Sequence, residues 1–367
     1  MKILLVGGGT GGPVAPLLAI AQEIRAEHPK AQFLFVGTSD GPAKAMAESI
    51  QINFVSISAG KWRRYFSFKN LLTVFQVIFG FVESFKILDS FQPDCIVGAG
   101  GFVQVPLIWA GYFKKIPSLI HQQDVLPGLA NRLCQFPAKK ITVCFESTAK
   151  TFISHIGFFY KKQKTDKISV TGNPVRTYLK QGEKTVVLKH FKLNDSLPVL
   201  LVLGGGTGSQ YFNSLIAEAM PELAKTVQIL HSTGQRKAQS ITHENYHSFE
   251  FIDKADLAFA AADIVLCRAG LATMSELSFL KKTAIVVPIP DTHQEYNAVF
   301  LHQMKAAVVI SQENLTAQNL QKLIKKILFN LELQKTLQKN IAKIMPHNAG
   351  KKIAEIVIKL ALSNARE

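Results

Sequence analysis

The stretch "GGGTGGPVAP" (Gly7–Pro16) follows directly on the apolar run "KILLV" (Lys2–Val6). A short apolar strand, a glycine turn and then a helix is the opening of a Rossmann-like unit, in which backbone N–H groups and the helix N-terminus face an anion. The same order returns in "PVLLVLGGGTGSQYFNSLIAEAM" (residues 198–220). Two such openings in one chain predict two domains of the same kind.

Short apolar runs alternate with longer helical stretches along the whole chain. Runs such as "AQFLFVG", "DCIVGAGG" and "KKITVCF" are apolar on both faces, which is typical of a parallel sheet covered by helices. The sequence therefore predicts an α/β fold with two Rossmann-like domains facing across a cleft. We place an N-terminal domain at residues 1–167 and a C-terminal domain at 168–349, with the boundary after the polar stretch "KKQKTDK". The tail at 350–367 is predicted to form a helix that packs back on the N-terminal domain.

The composition favours anionic partners. The 42 Lys and Arg residues outnumber the 26 Asp and Glu residues, so the chain of 367 residues has a formal net charge of +16. Nucleic acid, phosphorylated substrates and anionic membranes all fit such an excess, although a generally basic proteome would also produce it. The four cysteines form no C-x-x-C pair, which predicts a reduced protein with neither a disulfide framework nor a zinc site. The chain starts at once with a strand, which predicts no signal peptide, and no apolar run reaches the ~18 residues of a membrane span.

A third turn, "RAGLATMSEL" (Arg268–Leu277), follows the apolar run "DIVLC". Thr273 and Glu276 have the spacing of a helix capping box, which is one interpretation of the pair. The other is that the helix N-terminus faces a diphosphate while Glu276 accepts hydrogen bonds from two ribose hydroxyls, since a carboxylate offers two acceptor oxygens. Gln294 follows a later strand and could reach the same ligand.

The segment Lys61–Leu88, "KWRRYFSFKNLLTVFQVIFGFVESFKIL", combines basic residues with aromatic ones. Its apolar part is too short to span a bilayer. Basic residues beside aromatic ones fit an interfacial helix on anionic lipid, and a broad buried helix is the alternative.

The ordered motifs resemble the bacterial MurG family of glycosyltransferases. The resemblance is carried by "GGTGG" (8–12), "GAGGFVQVP" (98–106), "HQQDVLPGLAN" (121–131), "VTGNPVR" (170–176), "RAGLATMSE" (268–276) and "QEYNA" (294–298). It implies the two-domain nucleotide-sugar glycosyltransferase fold and inverting transfer of N-acetylglucosamine from UDP-GlcNAc to the lipid-linked acceptor lipid I, which forms lipid II for peptidoglycan. It also implies a peripheral protein on the cytoplasmic face of the cell membrane, docked on the anionic inner leaflet through Lys61–Leu88, with no nucleic acid as partner.

The resemblance also implies the substrate-binding residues. In that family the matching positions approach the diphosphate or the sugar, line the nucleotide, contact uracil through the backbone or hold the ribose. They are Thr10, Gly11, Gly12, Asp124, Arg176, Gly206, Thr207, Ile252, Leu271, Ala272, Thr273, Met274, Ser275, Glu276 and Gln294.

This sequence departs from the family pattern where the chemistry needs a base. Pro13 stands where the family usually has His, and the family's "HEQN" reads "HQQD" at 121–124. Gly206 stands where a Ser is expected. A base must lie within hydrogen-bond reach of the attacking hydroxyl, and Pro13 cannot serve. We expect Asp124 to act as the base, with His121 as the next candidate; the alternative is that Asp124 only holds a sugar hydroxyl.

Metal use and acceptor identity stay open at this point. No D-x-D motif occurs, so no tightly bound cofactor is expected, although loosely bound Mg²⁺ remains compatible with the sequence. Three other functions fit the same fold: transfer to another lipid acceptor such as diacylglycerol, UDP-GlcNAc epimerisation, and binding of a UDP-sugar without turnover. Transfer of N-acetylglucosamine to lipid I is the interpretation that accounts for the largest number of motifs.

Overall fold

The structure, a computed structural model, divides the chain into two compact units. Unit 1 comprises Met1–Arg176 and Pro346–Glu367, and unit 2 comprises Thr177–Met345. The described residues are 1–8, 11–39, 41, 43–58, 69–156, 166–175, 184–238, 241–252 and 254–364, with the side chains of 69–78, 153–156 and 184–186 left aside. No helix within these ranges is long and apolar enough to cross a membrane.

Unit 1 is built on a seven-stranded parallel sheet with the order β3-β2-β1-β4-β5-β6-β7. Its strands are β1 (Lys2–Val6), β2 (Gln32–Gly37), β3 (Asn53–Ser56), β4 (Cys95–Gly98), β5 (Ser118–Gln122), β6 (Lys140–Val143) and β7 (Ile168–Val170). The helices between them are α1 (Gly11–Glu27), α2 (Ala43–Glu48), α3 (Lys69–Phe91), α4 (Gln104–Phe113), α5 (Leu129–Cys134) and α6 (Glu146–Ile156). Strands β4 and β5 are buried along their whole length and β1 is buried from Ile3 onward, as the apolar runs predict.

Unit 2 repeats the plan with a six-stranded parallel sheet of order β10-β9-β8-β11-β12-β13. The strands are β8 (Val199–Leu203), β9 (Gln228–Ser232), β10 (Tyr246–Phe249), β11 (Ile264–Cys267), β12 (Thr283–Val286) and β13 (Val308–Val309). The helices are α7 (Lys184–Phe191), α8 (Gln210–Leu223), α9 (Ala255–Ala261), α10 (Leu271–Leu280), α11 (Gln294–Gln303), α12 (Ala317–Leu328) and α13 (Leu331–Ile341).

The predicted boundary at residue 167 is wrong. Strand β7 pairs with β6, with Val143 opposite Val170, and so completes the sheet of unit 1. The charged stretch that suggested a linker lies between α6 and β7, which are consecutive elements of one unit. The last helix, α14 (Ala349–Asn364), packs on α1, and its Ile353 and Val357 are fully buried in the core of unit 1.

Each sheet has one point at which the strand order reverses. It lies between β1 and β4 in unit 1 and between β8 and β11 in unit 2. In open α/β sheets, ligands bind beyond the carboxyl ends of the strands at such a point. Each of the three glycine turns singled out in the sequence follows one of these four strands. Each turn therefore lies at the switch point of its own unit, where a ligand is expected to bind.

Candidate functional site

The first glycine loop of unit 1 touches the loop after β4 backbone to backbone. Val6 and Gly98 are register partners at the ends of β1 and β4. Gly101 has φ +86°, and a Cβ placed on it would lie 2.9 Å from the carbonyl oxygen of Gly8. Only glycine fits such an approach in that conformation. The two loops therefore form one surface at the switch point of unit 1.

The helix after the first loop begins as the sequence predicts. Gly11 and Gly12 open α1 and are half-buried. Pro13 lies in the first turn, where a missing N–H leaves no hydrogen bond unmade. Thr10 and Arg176, two predicted ligands of the substrate, lie outside the described residues.

His121 is enclosed in the interior of unit 1. It is 0% exposed, with Nε2 3.0 Å from Asn173 Oδ1 and Nδ1 3.0 Å from Thr142 Oγ1. The amide oxygen can only accept, so Nε2 carries the proton and Nδ1 accepts from the threonine hydroxyl. Burial lowers the pKa of His121 to about 4. This corrects the prediction of His121 as a second candidate base, because both ring nitrogens are engaged and no solvent reaches them.

Asp124 lies on the loop that follows β5 and is half-buried. Burial raises the pKa of the Cys144 thiol well above its usual value, and the Asp124 carboxylate raises it further, which places that carboxylate near the carboxyl end of β6. Of the two base candidates, only Asp124 has solvent access. Its role in proton transfer stays a prediction.

The second glycine loop, Gly204–Ser209, connects β8 to α8 in unit 2. Ser209 is the N-cap of α8, and its hydroxyl accepts from the Phe212 N–H at 3.3 Å. Gly206 and Thr207 are exposed, and Lys237 Nζ donates to the Thr207 carbonyl at 2.8 Å. The exposed tip of this loop, Gly206 and Thr207, is therefore held in place by the hydrogen bonds of Ser209 and Lys237. The tip lies directly before a helix N-terminus, which suits an anion.

Arg268 is a residue that the sequence analysis missed. Its guanidinium is largely buried and donates to Ser209 Oγ at 3.0 Å and to Gln312 Oε1 at 2.8 Å. It also lies 4.5 Å from the centroid of the Phe212 ring. From the sequence, an Arg directly after a strand is expected to be a charge on the surface. In the structure, its hydrogen bonds to Ser209 and Gln312 connect the second glycine loop to the loop after β13.

For the nucleotide-sugar donor that the sequence motifs predict, we expect Arg268→Lys to raise the KM by about tenfold, because an ammonium cannot reproduce the planar fork of donors or the stacking on Phe212. Steady-state kinetics at varied donor concentration measures the change. Arg268 also donates to the Val287 and Pro288 carbonyls, which follow β12. Lys282→Arg is the control, since Lys282 likewise donates to backbone carbonyls but lies just before β12, at the amino end of that strand. An unchanged donor KM in Arg268→Lys would contradict this role.

Helix α10 starts at Leu271 with Gly270 as its N-cap, so the capping-box interpretation of Thr273 and Glu276 is wrong. Ala272, Thr273 and Glu276 are half-buried and remain within reach of a ligand. Burial raises the pKa of Cys267 to about 12, and the nearby Glu276 carboxylate adds to the effect. Glu276 therefore lies close to the carboxyl end of β11, at the switch point of unit 2.

Three of the predicted α10 ligands have buried side chains. Leu271 is 4%, Met274 0% and Ser275 2% exposed, and the Ser275 hydroxyl donates to the Leu271 carbonyl at 2.7 Å. This corrects the prediction that the whole segment Leu271–Glu276 lines a nucleotide: the side chains of Met274 and Ser275 belong to the core. The free N–H groups of the first helical turn are what this part of α10 offers an anion.

The remaining predicted residues, Gln294 and Ile252, lie in unit 2. Gln294 is the first residue of α11 and its Oε1 accepts from the Ile289 N–H at 3.2 Å. Asn297 ties that helix to the third glycine turn by donating to the Ala269 carbonyl at 3.0 Å. Ile252 follows β10 and is 7% exposed, so its side chain is core and its backbone is the part able to contact a base.

We expect Gly206→Ser to lower the donor KM roughly two- to tenfold, since one added hydrogen bond contributes about 0.5–1.5 kcal/mol. A Cβ on Gly206 meets no atom within 4 Å, so the serine that the sequence resemblance leads us to expect here fits without strain. Gly205→Ser is the matched control: it faces equally open space but has φ +90°, which disfavours any side chain. A raised KM in Gly206→Ser would count against donor binding at the tip of this loop.

Comparison with known proteins identifies the family. Residues 3–143 match the glycosyltransferase family 28 N-terminal domain, and residues 199–355 match the family 28 C-terminal domain. A protein of Legionella pneumophila is 37% identical over 325 residues, which is 86% of either chain. One of Desulforamulus reducens is 34% identical over 98% of this chain and 99% of its own. Both are named UDP-N-acetylglucosamine–N-acetylmuramyl-(pentapeptide) pyrophosphoryl-undecaprenol N-acetylglucosamine transferase.

The chain belongs to this family. It is a glycosyltransferase of the MurG type. The crystal structure of Acinetobacter baumannii MurG has a TM-score of 0.72 at 22% identity, covering 98% of this chain and 99% of that one. A UDP-GlcNAc 2-epimerase from Neisseria meningitidis gives 0.65 at 17% identity, covering 98% and 100%. At these identities both show the shared two-domain fold, and sequence separates the transferase family from the epimerase.

Proposed function

We propose that this chain transfers N-acetylglucosamine from UDP-GlcNAc to the N-acetylmuramyl-pentapeptide carried on undecaprenyl pyrophosphate, forming lipid II. The observation that carries the proposal is full-length similarity to curated transferases of that name, at 34% identity over 98% of the chain in one case. The fold supports it, since each of the two family domains has its own switch point with a glycine turn, as a reaction between two substrates requires. We assign the acceptor to unit 1 and the nucleotide to unit 2.

The chemistry follows from the residues at each switch point. In unit 2 the N-termini of α8 and α10 stabilise the negative charge that develops on the departing UDP, and Glu276 holds the ribose. In unit 1 the Asp124 carboxylate takes the proton from the acceptor hydroxyl as that hydroxyl attacks the anomeric carbon. We further propose that this occurs without a tightly bound metal, with helix dipoles and cations in its place; EDTA then leaves turnover unchanged.

One experiment separates this function from its alternatives. Purified protein receives radiolabelled UDP-GlcNAc together with lipid I or with diacylglycerol. We expect label in the lipid I product alone. Label in a glycolipid would support another lipid acceptor, and formation of UDP-ManNAc would indicate an epimerase. Donor binding without any product would indicate a binding protein. This last alternative needs testing because Pro13 stands where the family usually has a histidine.

We propose that the protein docks on the cytoplasmic face of an anionic membrane through unit 1. An aromatic face, defined by Trp109, Tyr112, Phe113 and Phe136, extends the predicted membrane segment. Phe113 is 62% and Phe136 53% exposed, and the Trp109 and Phe136 ring centroids lie 6.1 Å apart. Exposed Lys115, Arg132 and Lys139 flank it.

The segment Lys61–Leu88 contributes in part. Residues 61–68 lie outside the described residues, and on α3, which packs against α4, Phe79 is 62% and Val82 50% exposed. Aromatic rings beside cations are the composition of an interfacial surface.

We expect Phe113→Ser with Phe136→Ser to weaken binding to phosphatidylglycerol vesicles by about tenfold per ring, since burying an aromatic side chain contributes about 1.5–3 kcal/mol. Wild-type binding should also fall with added salt. Vesicle sedimentation measures both. Phe329→Ser, at a residue 82% exposed in unit 2, is the control. Equal binding by the double variant and this control would contradict docking through the aromatic face.

A further inference from the structure

Three buried carboxamide side chains link the loop after β4 to the loop after β5. They are Gln104, Asn131 and Gln122, which are 0%, 4% and 3% exposed, and we call them the amide relay. The Gly100 N–H donates to Gln104 Oε1 at 2.8 Å, and Gln104 Nε2 donates to Asn131 Oδ1 at 2.5 Å. Asn131 Nδ2 then donates to Gln122 Oε1 at 2.6 Å. The three amides thus form one continuous chain of hydrogen bonds.

The far end of the relay holds the loop that carries Asp124. Gln122 Nε2 donates to the Asp124 carbonyl at 2.9 Å and to the Leu126 carbonyl at 3.1 Å. A backbone N–H can only donate and a backbone carbonyl can only accept. Because Gly100 fixes one end and these two carbonyls fix the other, each amide has a single allowed orientation. Reversal of any one of them would set oxygen against oxygen or N–H against N–H along the chain.

The near end of the relay is joined to the first glycine loop. A Cβ on Gly98 would lie 2.5 Å from Gln104 Oε1, so glycine at that position makes room for the relay. Gly101, next to the relay's first donor, contacts the backbone of Gly8. Asn131 also donates to the His121 carbonyl at 3.2 Å, which anchors the middle of the relay to β5.

We propose that Gln104, Asn131 and Gln122 are positioning residues of the transfer reaction, which fix the backbone of Asp124 relative to the glycine loops of unit 1. The proposal rests on the proposed function and deepens it. A carboxylate that must meet the acceptor hydroxyl needs a fixed main chain, since a misplacement of about 1 Å can cost about 100-fold in rate. The buried hydrogen bonds of the relay hold the main chain of the Asp124 loop in place.

The test uses Gln104→Met, which keeps the length of the side chain but removes both the acceptor for the Gly100 N–H and the donor to Asn131. Gln228→Met is the matched control. Gln228 is also 0% exposed, accepts a backbone N–H at 2.8 Å and donates to two carbonyls, but lies at the start of β9 in unit 2. Both variants lose stability because each leaves buried backbone groups without their hydrogen bonds, whereas only Gln104→Met breaks the relay.

We expect Gln104→Met to lower kcat by at least about tenfold with little change in the UDP-GlcNAc KM, and Gln228→Met to leave kcat near wild type. Adding Gln122→Met to Gln104→Met should lower kcat little further, because both act through one chain of bonds. Equal kcat values for the two single variants would overturn the proposal.

Hydrogen exchange of peptide 123–128 gives a readout that needs no turnover. Exchange should rise in Gln104→Met and stay at the wild-type level in Gln228→Met. Unchanged exchange in Gln104→Met would overturn the proposal even if the wild type proved inactive, whereas inactivity of the wild type would separately overturn the proposed function.

Discussion

Asp124→Asn is expected to lower kcat for transfer to lipid I by about 10²–10⁴-fold, the range that a positioned general base contributes. Asn matches Asp in size and can still hydrogen-bond a sugar hydroxyl, but it cannot take a proton at neutral pH. The KM for UDP-GlcNAc should change little, because the residues that we propose for nucleotide binding lie in unit 2. Steady-state kinetics with both substrates varied separates the two effects.

The control for this prediction is Asp166→Asn, which removes an exposed carboxylate from the same unit just before β7. Its kcat should equal that of the wild type. Near-normal turnover of Asp124→Asn would show that Asp124 is not the base and would leave it the role of holding a sugar hydroxyl. The base would then have to be sought outside both candidates, because His121 is enclosed and Pro13 has no group to offer.

Glu276→Ala is expected to raise the KM for UDP-GlcNAc by about 10²–10⁴-fold. A carboxylate that accepts from two ribose hydroxyls makes two hydrogen bonds to a charged group, each contributing about 1.5–3 kcal/mol. The wild type should therefore discriminate against a donor that lacks the ribose 2′-hydroxyl, and the variant should lose most of that discrimination. The measurement is kcat/KM for both donors.

Glu222→Ala is the control for the second prediction, since Glu222 lies on α8 in the same unit and its exposed carboxylate pairs with Lys225. Its donor KM should match the wild type. Undiminished discrimination between the two donors in Glu276→Ala would show that the ribose is held elsewhere.

The sequence predicts the plan of the fold because its strongest patterns are local. An apolar strand, a glycine turn and a helix follow one another at Gly7 and again at Gly204, and each set forms as expected. The boundary fails because a charged stretch has the same composition whether it joins two domains or two elements of one sheet. Pairing of β7 with β6 is a long-range contact that composition does not encode.

The candidate site is less accessible to sequence reasoning. Every residue of β5 is buried, so no alternation separates His121, an interior residue, from the loop residue Asp124 that follows it. Met274 and Ser275 lie in the third glycine-turn motif, "RAGLATMSEL", yet their side chains are buried in the core of unit 2. The roles of Arg268 and Gln104 depend on partners dozens of residues away, such as Ser209 and Asn131. Only the folded chain brings those groups together.

The most direct test follows the sugar and the nucleotide together. Purified wild-type protein is mixed with UDP-GlcNAc labelled in the sugar and with lipid I in detergent, and both products are quantified over time. The account predicts equal amounts of UDP and of labelled lipid-linked disaccharide-pentapeptide, with both rates reduced together in Asp124→Asn. Donor that binds but leaves all label in UDP-GlcNAc would contradict it.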